Sequence, residues 1–181
     1  SFSSDLIALF DAFDIQKANI VGYSYGGLIS LKTAILHPER VEKLVIIESP
    51  DPQTATSPET LQKYGDDFIK NYLENYTETT SLRPGKRQLL KIKQLYDYLF
   101  AETTIRGDFE SDINIFDELK QYPIDKKTML LYGLQSDCTM MGDHLHQLMP
   151  SSVLYKAEGD HNIPIQNPDW ISSKLIDFIK E

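Results

Sequence analysis

Short apolar runs alternate with amphipathic repeats along this chain and predict a parallel sheet flanked by helices. The apolar runs at 18–21, 44–47, 128–132 and 152–156 are typical of buried parallel strands. Between and after them, apolar residues recur at spacings of three and four, as in the helical pattern that follows Ser24 and ends at Pro38. Strands that alternate with helices indicate an α/β fold.

The segment 51–123 separates the second predicted strand from the third and is too long for a loop. Its apolar residues follow helical spacing in two stretches, and Arg83-Pro84-Gly85 breaks the pattern between them. The sequence therefore predicts a helical insertion over 51–123. The core would then consist of residues 1–50, with the first two strands, and 124–181, with the last two.

The motif Gly22-Tyr23-Ser24-Tyr25-Gly26 lies between the first predicted strand and the helix that follows it. A serine at such a sharp turn is expected to have positive φ, and side chains at Gly22 and Gly26 would collide across the turn. A glycine-rich turn with a surface serine is the simpler alternative. The strand before the motif and the helix after it favour a nucleophile elbow with Ser24 at its apex.

A serine nucleophile needs a base, and His161 is the favoured one of the chain's four histidines. It follows the predicted strand 152–156, and parallel sheets carry their chemistry beyond the carboxyl ends of strands. His37 lies at a helix end. His144 and His146 are two residues apart on a predicted helix and point to different faces, which excludes a metal pair of helical spacing.

Two acids are candidates for orienting the histidine, and both follow predicted strands. Asp137 comes after the strand 128–132, and Glu48 directly follows 44–47. The chain order of serine, acid and histidine suits either residue. We favour Asp137 as the acid and keep Glu48 as the alternative acid, for which a substrate-facing or structural role is also open.

Four segments together resemble the α/β-hydrolase superfamily, particularly esterase-like members with a helical cap. They are residues 21–27, 37–45, 131–137 and 159–168, so the resemblance spans nearly the whole chain. It implies Ser24 as the nucleophile, His161 as the base and Asp137 as the orienting acid. It also implies that the Tyr25 amide is an oxyanion donor and that neither a metal nor a cofactor is needed.

The superfamily fold begins with further strands and a loop that bears a second oxyanion amide, and this sequence has no counterpart of either. The expected fold is therefore an α/β-hydrolase sheet that is N-terminally incomplete. A parallel sheet of only four strands would leave an exposed edge beside the nucleophile strand.

The function that follows is cleavage of a carboxylic ester or thioester through an acyl-serine intermediate. The expected partner is a small-molecule acyl substrate with an apolar portion. The same triad in this superfamily also serves acyltransferases and carbon-carbon bond hydrolases, and the fold also serves non-catalytic ligand-binding or receptor domains. These alternatives stay open at the level of sequence.

Composition narrows the partners further. A net charge of −9 over 181 residues argues against nucleic acid, and no apolar run approaches the roughly 20 residues of a membrane span. The chain has one cysteine, Cys138, which excludes an internal disulfide and favours a reducing compartment, so the predicted location is cytoplasmic. Cys138 adjoins Asp137 and is expected to be a buried neutral thiol. No cysteine or histidine cluster has metal-ligand spacing.

Overall fold

Four parallel strands pair side by side in the order in which they occur in the chain. In the computed structural model, which describes residues 1–51, 86–105, 107–108, 119 and 126–181, they form one sheet of order β1-β2-β3-β4. The strands are β1 (Ala18–Tyr23), β2 (Val41–Ile47), β3 (Thr128–Gly133) and β4 (Val153–Ala157). The predicted mostly parallel α/β sheet is confirmed.

Helices follow the strands as the apolar spacing predicts. Their bounds are α1 (Phe2–Ala12), α2 (Tyr25–Leu36), α3 (Lys86–Glu102), α4 (Thr139–Leu148), α5 (Ile163–Gln166) and α6 (Pro168–Lys180), with a 3-10 turn at Pro38–Arg40. The turn begins with Pro38, whose ring fixes φ and whose nitrogen cannot donate to α2, so α2 ends before it. Helix α6 begins after Asn167, and Pro168 occupies its first turn, where a backbone N–H would have no partner within the helix.

The two central strands explain why the core has two apolar layers. All six residues of β3 are buried, and so are six of the seven in β2. Because side chains alternate along a strand, each strand contributes to both faces. One face joins Leu44, Ile46, Leu130 and Tyr132 to α1, α2 and α4. The opposite face joins Val45, Ile47, Met129 and Leu131 to α6. The sheet is therefore covered by helices on both sides, as parallel sheets usually are.

β1 lies at the edge of the sheet formed by the described residues, with β2 as its one neighbour there. Its Val21 and Tyr23 side chains are 44% and 41% exposed. The exposed sheet edge that the sequence predicts at the strand leading to Ser24 is thus present among the described residues. Serine, acid and histidine loops all leave the sheet at its carboxyl end, so this end holds the candidate chemistry.

The chain divides into two compact units, Ser1–Pro52 with Asn114–Glu181, and Gln53–Ile113. α3 lies in the second unit and coincides with the second predicted helical stretch of the insertion. Most of the predicted cap, 51–123, lies outside the described residues, so its role stays a prediction. No helix in the described parts of the chain is long and apolar enough to cross a membrane.

Candidate active site

Ser24 occupies the sharp turn between β1 and α2. Its φ of 54° and ψ of −129° lie in a region that side chains rarely adopt, which costs about 1–3 kcal/mol and is tolerated where the surroundings enforce it. The enforcing contacts are backbone hydrogen bonds. The Ser24 N–H donates to Ile47 O at 2.9 Å, and the Gly27 N–H donates to Ser24 O at 2.9 Å. The expected positive φ is present.

The two motif glycines differ in what surrounds them. A Cβ on Gly22 would lie 2.3 Å from Gly26 O and 2.4 Å from Ser30 Oγ, so the turn closes only with glycine at 22. At Gly26 no described atom lies within 4 Å of the position that a Cβ would take. The collision expected at Gly26 is therefore absent among the described residues, because the side-chain direction there points into open space.

The loop between β4 and α5 carries His161 to Ser24. Its Nε2 lies 2.9 Å from Ser24 Oγ, which is hydrogen-bond distance. The loop packs tightly on the end of β3, where a Cβ on Gly133 would lie 2.2 Å from Gly159 O. Gln135 ties the same loop down, since its N–H donates to Gly159 O at 3.0 Å and its Oε1 accepts the Gly159 N–H at 2.7 Å. The serine and histidine predicted from separate segments are thus adjacent.

Tyr23 supports the histidine from the side. Its ring stacks on the His161 ring with centroids 5.3 Å apart and an angle of 28° between the planes. Its hydroxyl donates to the His161 carbonyl at 2.8 Å. Sequence reasoning did not assign Tyr23 to the site. The available signal was its place in the motif directly before Ser24, because a residue at a strand end beside the nucleophile faces the same loops.

The acid that lies at His161 is Glu48. Its Oε2 is 3.3 Å from His161 Nδ1, and the residue is 0% exposed. The Gly133 N–H and the Ser136 hydroxyl both donate to the carboxylate, which fixes its orientation. Glu48 also has a positive φ of 53°, so β1 and β2 are each followed directly by a strained residue that carries a candidate catalytic group.

Asp137, the acid favoured from sequence, is exposed, and no hydrogen bond or ion pair joins it to His161 among the described contacts. The chain turns after β3, where the Ser136 N–H donates to Gly133 O at 3.3 Å. Ser136 is buried at this turn and faces Glu48, which leaves the next residue, Asp137, directed to solvent. The structure therefore brings the alternative acid to the histidine and not the favoured one.

Cys138 contacts the same imidazole nitrogen as Glu48. Its Sγ lies 3.6 Å from His161 Nδ1, and the residue is half-buried. Hydrogen bonds with Cys138 and with Glu48 raise the pKa of His161 from 6.5 to about 9, although burial opposes the increase. Sequence analysis placed Cys138 near the site only through its neighbour. Its contact with His161 depends on how the β3 and β4 loops meet.

Tyr25 is the first residue of α2, and backbone N–H groups in the first turn of a helix have no acceptor within the helix. Its ring makes an edge-to-face contact with Phe2, with centroids 6.0 Å apart. This position suits the predicted oxyanion role of the Tyr25 amide, which stays a prediction.

Many known proteins and solved structures are similar to this chain. A family model described as the alpha/beta hydrolase fold matches residues 1–168. The uncharacterized hydrolase YugF of Bacillus subtilis is 26% identical over 197 residues, which cover 97% of this chain and 70% of that protein. Epoxide hydrolase 4 of Mus musculus is 22% identical, with 98% of this chain and 58% of that protein covered.

Among solved structures, an esterase from Exiguobacterium antarcticum superimposes with a TM-score of 0.70 at 17% identity. The match covers 99% of this chain and 72% of the esterase chain. At this identity the likeness concerns the fold alone. The chain thus spans roughly six- to seven-tenths of the length of these three similar proteins.

Proposed function

This chain belongs to the α/β-hydrolase fold family, and we propose that it is a serine hydrolase that cleaves a carboxylic ester or thioester. The observation that carries the proposal is the position of His161 between a hydroxyl and a carboxylate. Its Nε2 lies 2.9 Å from Ser24 Oγ, and its Nδ1 lies 3.3 Å from Glu48 Oε2. A base held between a nucleophile and an orienting acid is the arrangement that activates serine.

The tautomer of His161 decides whether the arrangement works. When Nδ1 carries the proton, it donates to Glu48, and the lone pair on Nε2 accepts the Ser24 hydroxyl proton. Ser24 Oγ then attacks the substrate carbonyl, and the protonated imidazole returns the proton to the leaving group. Water releases the acyl group in the second half-reaction. If another nucleophile took the place of this water, the same groups would carry out acyl transfer.

Glu48 is the acid in this mechanism. Its buried carboxylate is fixed by the Gly133 N–H and the Ser136 hydroxyl, so it can hold the imidazole in one orientation and offset the charge that develops on the ring. Asp137 is exposed, and a carboxylate in water orients a neighbour weakly.

The Tyr25 amide is the proposed donor to the oxyanion of the tetrahedral intermediate. It lies next to Ser24 at the start of α2, where the helix dipole also favours negative charge. A second donor would have to come from another segment. Loss of one such donor costs on the order of 10²- to 10³-fold in kcat, so the second donor strongly affects the rate.

The chemistry of serine favours acyl substrates over epoxides, the substrate class in the name of one similar protein. Attack of a hydroxyl on an epoxide forms an ether, which water does not readily cleave. A carboxylate nucleophile would instead form an ester that water can hydrolyse. Because the elbow of this chain carries Ser24, an ester or thioester with an apolar acyl portion is the proposed substrate class.

A fluorophosphonate probe tests the proposal in the natural full-length protein. We expect one probe per chain on Ser24, no labelling of Ser24→Ala, and unchanged labelling of the control Ser172→Ala, which alters an exposed serine in α6. The hypothesis is lost if the wild-type protein is not labelled or if Ser24→Ala is labelled equally. Hydrolysis of p-nitrophenyl esters with graded acyl chains would then define the acyl preference.

A further inference from the structure

Three potential metal ligands of different chemistry converge beside the nucleophile. Glu48, Cys138 and His161 come from the loops after β2, β3 and β4, and their ligand atoms all lie within 4.8 Å of one another. A carboxylate oxygen, a sulfur and an imidazole nitrogen are the ligand types that Zn²⁺ takes in proteins. Their separation in sequence hides the cluster, because the second ligand position lies 90 positions after the first.

Two of the three ligand separations match those around a tetrahedral zinc ion. With a Zn–S bond of about 2.3 Å, Zn–N and Zn–O bonds of about 2.0–2.1 Å and tetrahedral angles, sulfur and nitrogen lie about 3.6 Å apart, and nitrogen and oxygen about 3.3 Å apart. The observed distances are 3.6 Å from Cys138 Sγ to His161 Nδ1 and 3.3 Å from that nitrogen to Glu48 Oε2. The third separation, from Cys138 Sγ to the Glu48 carboxylate oxygen, is no more than 4.8 Å, so a closer approach of these two side chains would complete the site.

The surroundings also suit a cation. Glu48 is completely buried, and among the described residues its ion-pair partner is His161. A carboxylate, a thiolate and a neutral imidazole around Zn²⁺ give a net charge of zero, which removes the cost of an isolated buried charge.

Hydrogen bonds from the neighbouring loop fix two of the three ligands. The Ser136 hydroxyl donates to Glu48 and also accepts the Cys138 N–H at 3.0 Å. Such contacts to the ligand residues orient metal sites.

We propose that Zn²⁺ binds to Glu48, Cys138 and Nδ1 of His161 and thereby switches off the hydrolase. On binding, the thiol and the protonated imidazole each release a proton to solvent, the imidazole from Nδ1, and the one proton that remains on the ring resides on Nε2. Nε2 then donates to Ser24 Oγ and has no lone pair with which to accept the serine proton. The inhibition rests on the proposed function, whereas the metal site does not.

Cobalt absorption tests the site without any turnover. Co²⁺ replaces Zn²⁺ in tetrahedral sites, and a cobalt–thiolate bond gives a charge-transfer absorption. Cys138 is the one cysteine of this sequence, and an absorption that is lost in Cys138→Ser is assigned to the proposed site. We expect it to saturate at one equivalent and to disappear when Zn²⁺ is added. The proposed site is overturned if Co²⁺ does not bind, or if it binds at one equivalent without the thiolate absorption.

Variants then separate the metal site from catalysis. Cys138→Ser should bind Zn²⁺ at least about tenfold more weakly, since even the residues that support metal ligands contribute that much. Ser24→Ala should bind Zn²⁺ as the wild-type protein does, although it has no activity. His144→Ala, which removes an exposed histidine of α4, is the matched control and should bind normally. Equal affinity of Cys138→Ser and wild type would contradict the proposal.

The inhibitory role has its own readout. One equivalent of Zn²⁺ should abolish ester hydrolysis by the wild-type protein, and EDTA should restore it, whereas Cys138→Ser should need at least about tenfold more Zn²⁺ for the same effect. Full activity of a protein that holds one bound Zn²⁺ would refute the switch. If the protein hydrolyses no ester but shows the cobalt–thiolate band, the proposed function fails and the metal site stands.

Discussion

Replacement of Glu48 by glutamine is the sharpest change to the proposed site, because it keeps the shape of the side chain and alters one group. Glu48 accepts three hydrogens: from the Gly133 N–H, from the Ser136 hydroxyl and, in the active tautomer, from Nδ1 of His161. Glutamine has one oxygen and one NH₂ group in the same space.

The Gly133 N–H decides which way the glutamine amide faces. If the NH₂ group pointed at Gly133, two donors would meet in a buried site, at a cost of about 1–3 kcal/mol. The oxygen therefore takes that side, and the NH₂ group faces His161. It donates to Nδ1, which places the ring proton on Nε2 and leaves no acceptor for the proton of Ser24.

The wrong tautomer should lower kcat on the order of 10³- to 10⁴-fold, which corresponds to about 4–5.5 kcal/mol in the activation free energy. Steady-state hydrolysis of a p-nitrophenyl ester measures it, and thermal unfolding of Glu48→Gln checks that the variant is folded. Asp137→Asn is the matched control, and we expect kcat within about twofold of wild type for this exposed residue. The assignment of Glu48 is refuted if Asp137→Asn loses activity by this amount while folded Glu48→Gln stays near wild type.

Three further predictions concern the elbow and the histidine. Gly22→Ala places a Cβ 2.3 Å from the Gly26 carbonyl oxygen and should lower the free energy of unfolding in urea by about 3 kcal/mol, the upper part of the range for overpacking. Gly26→Ala should change it by no more than about 1 kcal/mol, and equal effects would contradict this contrast. Tyr23→Phe loses the 2.8 Å hydrogen bond to the His161 carbonyl and should lower kcat by raising the activation free energy by about 0.5–1.5 kcal/mol, with KM unchanged. A change in KM alone would count against a positioning role. The base must be neutral to accept a proton, so kcat/KM, measured with EDTA, should increase with pH along a limb whose midpoint lies near the His161 pKa of about 9. Cys138→Ser should move this limb to lower pH, and an unmoved limb would show that the thiol does not raise the pKa.

The sheet and the segments that bear the candidate nucleophile and base could be predicted because their signals are local. Strands β1 to β4 all coincide with short apolar runs, and the turn at Ser24 follows from the glycine spacing in its motif. The loop with His161 was identified because a parallel sheet collects its strand ends at one edge. These inferences need no knowledge of side-chain direction.

The acid could not be chosen from sequence because Glu48 and Asp137 both follow strands. What separates them is the direction of each side chain. The positive φ of Glu48 turns it under His161, and the turn after Gly133 gives the inward position to Ser136 and the outward one to Asp137. Neither backbone conformation has a signature in the residue order. The metal ligands were hidden for the same reason, since three loops must meet before their contacts exist.

Acylation of Ser24 during turnover directly tests whether the reaction passes through an acyl-serine intermediate. A rapid-mixing experiment with p-nitrophenyl acetate measures the release of p-nitrophenol, and peptide mass spectrometry of the quenched protein locates the acetyl group. We expect an acetyl group on Ser24, no burst in Ser24→Ala and, where deacylation is slower than acylation, a wild-type burst that approaches one equivalent per chain. An acetyl group on Cys138, or turnover that persists in Ser24→Ala, would contradict the acyl-serine mechanism.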